Sequence, residues 1–388
     1  MTHSKRGKAS GIRTASRFDG IEISLIRQIN ALATPFSINL GIGEPNIEPD
    51  ETFRDMARRA AGEASWHYSA NAGDPALRQL VSSHFAPSYD PRSEICITAG
   101  TEEALYSVFQ SFVDPGDEVL VPDPGFVAYP TLARLAGGVP VPYPLDPERW
   151  TLDVAALAPL LSSRTKLIVV NSPSNPTGGV LAAPTLRAIA AMAAERGVVV
   201  VSDEVYREIH YGAAPPSMIG MGENVVVVDG MSKAYSMTGL RLGWAIAREP
   251  RMHTIIRAHQ YIATCASTFS QALATIVLES DEWRGQWLES LRSRFAQQRE
   301  AAVFAARRYI GAEVEAPPAA FYLFVPVPTC DSAGFAHAVA TEAAVLTVPG
   351  VAFGKRGEGF LRISFATDPQ SAGEGIERIG RYLDEIGR

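Results

Sequence analysis

The sequence predicts an α/β fold, with a large domain built on a mostly parallel sheet flanked by helices and a smaller α+β domain after it. Between about Glu94 and Trp244, short β-branched runs such as EICIT, EVLV and KLIVV alternate with longer helical patterns. Continuous apolar strands joined by helices are typical of parallel sheets covered on both faces. Beyond Ser280 the pattern changes to one long amphipathic helix followed by short strands, which predicts a second domain.

The elements of each domain follow from these patterns. ALYSVFQSF and APTLRAIAAMAAERG have apolar residues at helical spacing and are predicted as crossover helices. The segment 18–33 is predicted as a single amphipathic helix that packs on the small domain or across a subunit boundary. The strands of the large domain are predicted, in chain order, in EICIT, EVLV, VPVPY, KLIVV, VVVV at 198–201 and VVVV at 225–228, and those of the small domain in AFYLFVPV, AVLTVPG and FLRISFA.

We expect four parts along the chain: a disordered or arm-like N-terminus (1–17), an N-terminal helix associated with the small domain (18–40), the large domain (41–278) and the small domain (279–388). The basic N-terminal segment lacks the apolar core of a secretory signal. A disordered tail is therefore the favoured interpretation, and a transit peptide is the alternative.

Composition limits the classes of function. The 388 residues carry a formal net charge of −7, so the molecule lacks the overall positive charge expected of a nucleic-acid binder. Its apolar runs are too short to predict a membrane span. Three scattered cysteines without a CxxC pair favour a cytoplasmic protein, and the histidines show no HExxH pattern. We expect no nucleic acid, no membrane and no metal as partners.

Five of the predicted strands lead directly into polar or glycine-containing turns. The carboxyl ends of parallel strands meet at one edge of a sheet, and ligands of α/β proteins bind there. Each turn residue alone has an ordinary structural interpretation as a cap, a turn or a core residue. Their convergence on one crevice favours a functional site over these separate structural interpretations. The turns are Ala99–Glu102, Asp123–Phe126, Asn171–Gly178, Ser202–Tyr206 and Gly230–Lys233.

These side chains suit an aldehyde cofactor of the pyridoxal phosphate type. A lysine such as Lys233 can form a Schiff base with an aldehyde, and the electron-accepting ring needs an acid beside its nitrogen, which Asp203 can supply. Phe126 could cover one face of the ring. Asn175 and Tyr206 could hydrogen-bond the phenolic oxygen.

A phosphate group needs cations and backbone donors. Arg241 offers a permanently charged, bidentate partner. Gly100 and Thr101 would present free N–H groups at a helix N-terminus. Lys233 is therefore predicted as the covalent anchor and Arg241 as the residue that binds the phosphate.

The motifs resemble the class I and II aminotransferases, the aspartate aminotransferase family of fold type I pyridoxal phosphate enzymes. The resemblance spans most of the chain, and its most specific segments are NSPSNPTG and SKAYSMTGLRLG. The motifs occur in the order LGIGEP, HYSANAGDPALR, TAGTEEAL, DPGFVAY, NSPSNPTG, SDEVY, SKAYSMTGLRLGW and LRISFA.

The resemblance implies transfer of an amino group from an amino acid to a 2-oxo acid by a ping-pong mechanism, in a homodimer with shared active sites. Lys233 would also move the proton of the substrate α carbon, with Asp203 and Tyr206 as further catalytic residues. Arg362 would bind the substrate α-carboxylate, and Tyr68 would reach the phosphate of the neighbouring subunit. The implied cofactor-binding residues are Gly100, Thr101, Glu102, Phe126, Asn175, Asp203, Tyr206, Ser232, Lys233, Arg241 and Tyr68, and the implied substrate-binding residues are Gly43, Asn175 and Arg362.

The chain departs from the family pattern at three positions. Gly230 stands where some members have a phosphate-binding serine, so the phosphate is expected to depend more on Arg241 and the turn at Gly100. Ala319 replaces a glycine often found before the AFY segment. Glu102 occupies a position where some dicarboxylate-specific relatives carry a lysine, and its charge should repel a second carboxylate. We therefore expect a neutral or apolar amino acid as substrate.

Two other functions stay open from the sequence. A pyridoxal-phosphate-dependent lyase would use the same cofactor residues, and a cofactor-binding regulatory module is a remote alternative. The segment GVAFGKR at Gly350 resembles a phosphate-binding loop, but three residues instead of four separate its glycines, and Arg356 follows the lysine where Ser or Thr is required. It is predicted to be a turn.

Overall fold

The structure is a computed structural model and describes residues 14–311 and 313–387. Most of the predicted N-terminal arm, residues 1–13, lies outside the described residues. The strands are β1 (Ile38–Asn39), β2 (Ile95–Thr98), β3 (Glu118–Asp123), β4 (Val139–Pro144), β5 (Thr165–Asn171), β6 (Val199–Asp203), β7 (Val225–Gly230), β8 (Gly243–Ala247), β9 (Tyr322–Pro326), β10 (Val345–Leu346), β11 (Val348–Pro349) and β12 (Phe360–Ser364).

Helices cover these strands and connect most of them. Short 3-10 turns occur at Ser16–Phe18, Val154–Ala156, Ala158–Leu160, Thr238–Leu240, Gly350–Phe353 and Lys355–Gly357. The α-helices are α1 (Leu25–Asn30), α2 (Glu51–Glu63), α3 (Pro75–Phe85), α4 (Thr101–Phe112), α5 (Ala128–Leu135), α6 (Ala183–Ala194), α7 (Glu249–Ile262), α8 (Thr268–Glu279), α9 (Asp281–Ala305), α10 (Ser332–Glu342) and α11 (Pro369–Glu385).

The central sheet has seven strands in the order β2-β8-β7-β6-β5-β3-β4. Pairing is parallel from β7 to β4, whereas β8 runs antiparallel to both of its neighbours, β2 and β7. The predicted α/β class with a mostly parallel sheet is confirmed. All six predicted strands of the large domain are present. The sequence analysis missed β8, because GWAIA follows the glycine-rich SKAYSMTGLRL segment and contains only one β-branched residue.

The prediction of one helix over 18–33 is wrong. A 3-10 turn at Ser16–Phe18 ends where the segment begins, and the only helix within the segment is the short α1. Gly20 has a left-handed backbone (φ 79°) that interrupts the helix. Helix α1 starts only at Ser24, whose hydroxyl accepts a hydrogen bond from the Arg27 amide.

The N-terminal segment is attached to the C-terminal part of the chain. Strand β1 pairs in parallel with β10, and α1 lies against β11 and α10. The C-terminal part also contains the antiparallel sheet β11-β12-β9. The proposed domain boundaries at 40/41 and 278/279 stay a prediction.

Helix α9 packs against α8 and α11. Its apolar stripe of Trp283, Trp287, Leu291 and Phe295 is buried, as the helical spacing predicted. The two tryptophan rings stack with centroids 5.5 Å apart. The helix continues into a π-helical turn at Ala306–Ile310.

Candidate active site

Strand register brings the predicted polar residues to one edge of the central sheet. Asn171 at the end of β5 pairs with Asp203 at the end of β6, and Asp203 pairs with Val228 near the end of β7. The turn that carries Lys233 follows β7 directly. The ends of these parallel strands therefore form one crevice, as the sequence predicted.

The Asp203 carboxylate is buried, with 5% of the residue exposed. Its Oδ2 accepts a hydrogen bond from the Tyr129 hydroxyl over 2.8 Å, and its Oδ1 accepts one from the Val205 amide over 3.3 Å. Burial raises the pKa of Asp203 to about 6, although both hydrogen bonds oppose the shift. At neutral pH the site therefore presents a fixed anion.

The Lys233 amine lies in the crevice and donates to the Gly43 carbonyl over 2.6 Å. Burial and then the positive charge of Arg362 lower the pKa of Lys233 to about 8, while the carboxylates of Glu44 and Asp203 oppose the shift. The uncharged form of this amine is therefore more populated near neutral pH than that of an exposed lysine. An uncharged lysine is a nucleophile and a proton acceptor.

Arg362 is almost fully buried, with 2% of the residue exposed. It donates to Asn175 Oδ1 over 2.9 Å and to the Gly41 carbonyl over 2.5 Å. Its guanidinium carbon lies 4.4 Å from the ring centroid of Tyr322 and 5.1 Å from that of Phe353. The Nε atom is buried and has no hydrogen-bond partner among the described residues. A buried cation with a donor to spare is suited to a carboxylate ligand.

The turn at Gly100 lies beside Arg241. Gly100 has a left-handed backbone (φ 88°) and immediately precedes α4. A β-carbon at this position would lie 2.7 Å from Nη2 of Arg241. Arg241 itself has a left-handed backbone (φ 54°), and its Nη1 donates to the Thr238 carbonyl over 2.9 Å. The N-terminus of α4 and an arginine thus form an anion-binding arrangement.

A buried polar pair supports the turn at Gly100. The Glu103 carboxylate accepts from the Ala99 amide over 3.1 Å and from the Ser107 hydroxyl over 2.6 Å. A third hydrogen bond, of 2.9 Å, joins Glu103 to Nδ1 of His259, which is fully buried. Sequence analysis did not single out either residue, because they are 156 positions apart.

Gly230 is explained by close contact between two strands. It pairs with Gly243 across β7 and β8. A β-carbon on Gly230 would lie 2.7 Å from the Gly243 α-carbon and 2.8 Å from the Leu242 carbonyl oxygen. Backbone atoms in paired strands cannot move aside to relieve such a clash, so the close approach of the strands requires glycine here.

The turn with Phe126 is linked to a loop of the small sheet. The Gly125 amide donates to the Phe353 carbonyl over 2.8 Å, and Asp123 accepts from the Arg356 amide over 3.0 Å. The GVAFGKR segment thus consists of two 3-10 turns that contact the Phe126 turn. The Phe126 ring lies edge-on to the Tyr129 ring, with centroids 5.6 Å apart.

The family model of the class I and II aminotransferases matches residues 37–379. This chain belongs to that family.

Curated relatives and solved structures agree with this assignment. The aspartate aminotransferase of Pyrococcus abyssi is 35% identical over 386 residues, with 96% of this chain and 98% of the relative covered. The aromatic-amino-acid aminotransferase 2 of Thermococcus litoralis is also 35% identical, with 96% and 98% covered. The structure of the Thermus thermophilus aspartate aminotransferase with maleate superposes with a TM-score of 0.89 at 30% identity, covering 96% of this chain and 100% of that one.

The other predicted residues of this aminotransferase differ in exposure. Ser232 is buried in the turn before Lys233, and Thr101 begins α4. Glu102 lies in the first turn of α4, where Arg241, Lys233 and Arg27 act on its charge. Glu102 is exposed, although desolvation by its neighbours raises its pKa. Tyr68 is also exposed, at 84%.

Two tyrosines of this aminotransferase were missed as site residues. Tyr129 lies in the quoted motif DPGFVAY, three positions after Phe126, and this helical spacing was the available signal. Tyr322 was treated only as part of a strand, but its hydroxyl lies 2.8 Å from the Tyr206 hydroxyl. Ala319, one of the noted departures, is buried and forms a bridge with His210.

Among residues 14–311 and 313–387, no group of three or more His, Cys, Asp or Glu side chains is placed to hold a metal ion. Within the same part of this aminotransferase, none of the helices has the length and apolar character needed to cross a membrane.

Proposed function

We propose that the chain binds pyridoxal 5′-phosphate and uses it to transfer an amino group from an amino acid to a 2-oxo acid by a ping-pong mechanism. One observation carries the proposal: a lysine whose pKa is lowered to about 8 shares a crevice with a buried carboxylate and a buried arginine. Membership of the class I and II aminotransferases supports the same cofactor.

The residues present fit this cofactor. Arg241 and the N-terminus of α4 suit its phosphate, and the absence of a β-carbon at Gly100 leaves the Arg241 guanidinium room beside that N-terminus. The Asp203 carboxylate, buried and held by two hydrogen bonds, suits a protonated ring nitrogen. The unpartnered Arg362 Nε leaves a donor for the substrate carboxylate.

The bound cofactor supplies an aldehyde that bonds to amines and a ring that takes up the electron pair of a neighbouring carbanion. Lys233 would hold the aldehyde and would move the proton of the substrate α carbon. Asp203 keeps the ring nitrogen protonated, since a buried anion favours the cationic form. Arg362 orients the substrate through its α-carboxylate.

We propose a neutral or apolar amino acid as substrate. Glu102 supports this assignment, because its carboxylate lies in the first turn of α4, near Arg241 and Lys233, and would repel a second carboxylate brought beside it. The names of the relatives differ on this point, since one is an aspartate aminotransferase and another an aromatic-amino-acid aminotransferase.

We also propose a homodimer in which Tyr68 reaches the phosphate of the partner subunit. Trp66, Tyr68 and Tyr261 are 94%, 84% and 87% exposed, and monomeric proteins rarely leave large aromatics so open. The Asn71 side chain donates to the Thr264 carbonyl over 2.8 Å, so these two segments form one surface. Cytoplasmic location stays a prediction.

Borohydride reduction followed by peptide mass spectrometry tests the cofactor assignment. Reduction of the loaded enzyme should fix the cofactor on Lys233 and leave the exposed Lys166 unlabelled. Lys233→Ala should abolish labelling and amino transfer, whereas the control Lys166→Ala should behave as wild type. Labelling at another lysine would overturn the proposal.

A panel of amino acids, each assayed with and without a 2-oxo acid, tests the reaction itself. Transfer should require the oxo acid, and neutral or apolar donors should give higher kcat/KM than aspartate or glutamate. Release of ammonia and an oxo acid without any acceptor would identify a lyase instead.

A further inference from the structure

Tyr322 touches three of the residues assigned to the site, although it was not assigned a role there. Its hydroxyl lies 2.8 Å from the Tyr206 hydroxyl, and its ring lies under the Arg362 guanidinium at 4.4 Å. A β-carbon on Gly43 would lie 2.4 Å from the Tyr322 hydroxyl oxygen. Tyr322 is 1% exposed. It is therefore a buried member of the site.

Backbone contacts fix Tyr322 relative to Tyr206. The Ala320 amide donates to the Ile209 carbonyl over 2.9 Å, and the Tyr211 hydroxyl donates to the Ala320 carbonyl over 2.6 Å. The start of β9 is thus tied to the segment that follows Tyr206. The two tyrosine rings meet edge to face, with centroids 5.6 Å apart.

The hydroxyl pair has only one arrangement of protons that is compatible with the role of Tyr206. Burial raises the pKa of both phenols, so each keeps its single proton at neutral pH. If Tyr206 donates that proton to the phenolic oxygen of the cofactor, it cannot also donate to Tyr322. The 2.8 Å contact then requires Tyr322 to donate to Tyr206. A hydroxyl that accepts a hydrogen bond becomes a stronger donor.

We propose that Tyr322 is a positioning residue that acts through Tyr206: it donates to the Tyr206 oxygen and thereby strengthens the hydrogen bond from Tyr206 to the phenolic oxygen of bound pyridoxal phosphate. This inference rests on the proposed function. Its consequence is that the deprotonated form of that oxygen is favoured over the protonated form.

The charged groups that act on the tyrosine pair come from three elements. They are Asp203 on β6, Arg362 on β12 and Lys233 after β7, whose amine lies 6.0 Å from the Tyr206 ring centroid. Tyr322→Phe leaves all three in place and keeps the ring under Arg362. The substitution therefore removes only the hydroxyl.

The test is a pH titration of the visible absorbance band of the pyridoxal-phosphate-loaded enzyme. Tyr322→Phe should raise the midpoint by about 0.5 pH unit, because it only weakens the hydrogen bond from Tyr206 to the phenolic oxygen. Tyr206→Phe removes that hydrogen bond altogether and should raise the midpoint by about one to two units. Tyr206→Phe/Tyr322→Phe should titrate like Tyr206→Phe alone, because Tyr322 acts through Tyr206.

Tyr143→Phe is the matched control. Tyr143 is equally buried at 1% exposure and also loses one hydrogen bond, from its hydroxyl to the Val169 carbonyl, but it lies on β4 outside the site. Tyr143→Phe and Tyr322→Phe should both lose thermal stability. Only Tyr322→Phe should shift the midpoint of the absorbance titration.

Two results would overturn the role of Tyr322 while leaving the proposed function intact. They are a wild-type midpoint in Tyr322→Phe, or a double variant shifted beyond Tyr206→Phe. A wild-type enzyme that shows no cofactor band would overturn the proposed function and this inference together.

Discussion

Asp203 and Arg362 are both buried charges, but they are held in different ways. Asp203 is at the end of a strand, and its partners Tyr129 and Val205 belong to the same large domain. Arg362 comes from the small sheet and is held by Asn175 and by the Gly41 carbonyl, 187 and 321 positions away. Strand register thus sets the half of the site around Asp203, which we call the cofactor half. Contacts between distant segments set the half around Arg362, which we call the substrate half. We expect the cofactor half to tolerate small changes in geometry better than the substrate half.

Removing the charge of Asp203 should have the largest effect. Asp203→Asn keeps the shape but loses the anion beside the ring nitrogen, so we expect amino transfer to slow about 10³-fold, as when a preorganised charge is removed from an active site. Borohydride labelling of Lys233 should persist. The rate is measured by stopped flow as the amino acid reacts with the loaded enzyme in the absence of a 2-oxo acid. Asp153→Asn, in a turn outside the site, is the control. A rate within tenfold of wild type would contradict the assigned role.

Arg362→Lys should have the next largest effect and should act on the other half of the site. Lysine keeps the charge but cannot make both directed bonds, so KM for the amino acid should rise about 100-fold. Cofactor binding should be unchanged, as measured by the absorbance titration. Arg356→Lys, on an exposed side chain, is the control. An unchanged KM in Arg362→Lys would mean that the substrate carboxylate binds elsewhere.

The pH dependence of cofactor uptake tests whether the charge of Arg362 in the substrate half acts on Lys233 in the cofactor half. Only the neutral amine of Lys233 bonds to an aldehyde, so uptake by the apoenzyme should rise about tenfold per pH unit below the lysine pKa and level off above it. The plateau should begin near pH 8. Because the Arg362 charge lowers this pKa, Arg362→Met should move the plateau to higher pH. A plateau that stays in place would show that the two halves are electrostatically independent.

Tyr129→Phe should have the smallest effect. Loss of one hydrogen bond to the Asp203 carboxylate should lower kcat about fivefold. The same bond lowers the pKa of Asp203, so its removal should raise that pKa above about 6 and move the acid limb of the kcat profile to higher pH. Tyr143→Phe should leave the acid limb in place. An unmoved limb in Tyr129→Phe would show that another group controls it.

The sequence predicted the strand-end half of the site more fully than the other half. Asn175, Asp203 and Lys233 each follow an apolar run, and parallel strands place such turns side by side. Arg362 entered only through the family resemblance. No local pattern indicates that Arg362 contacts Asn175 or that Tyr322 lies against Tyr206.

The misses in the fold have similar physical causes. Strand β8 was missed because GWAIA has only one β-branched residue and because its pairing with β2 joins segments far apart in the chain. The apolar spacing in 18–33 resembled one helix, yet the left-handed Gly20 and the cap at Ser24 divide it. A local break therefore outweighed the periodic pattern.

The contact between Gly230 and Gly243 limits how residues can be exchanged between relatives. Engineers who copy the serine of other family members into this position would force apart the strands that lead to Lys233 and follow Arg241. Phosphate affinity would then fall, although the new hydroxyl is a phosphate ligand elsewhere. Transplanting that serine would require redesign of the whole strand pair.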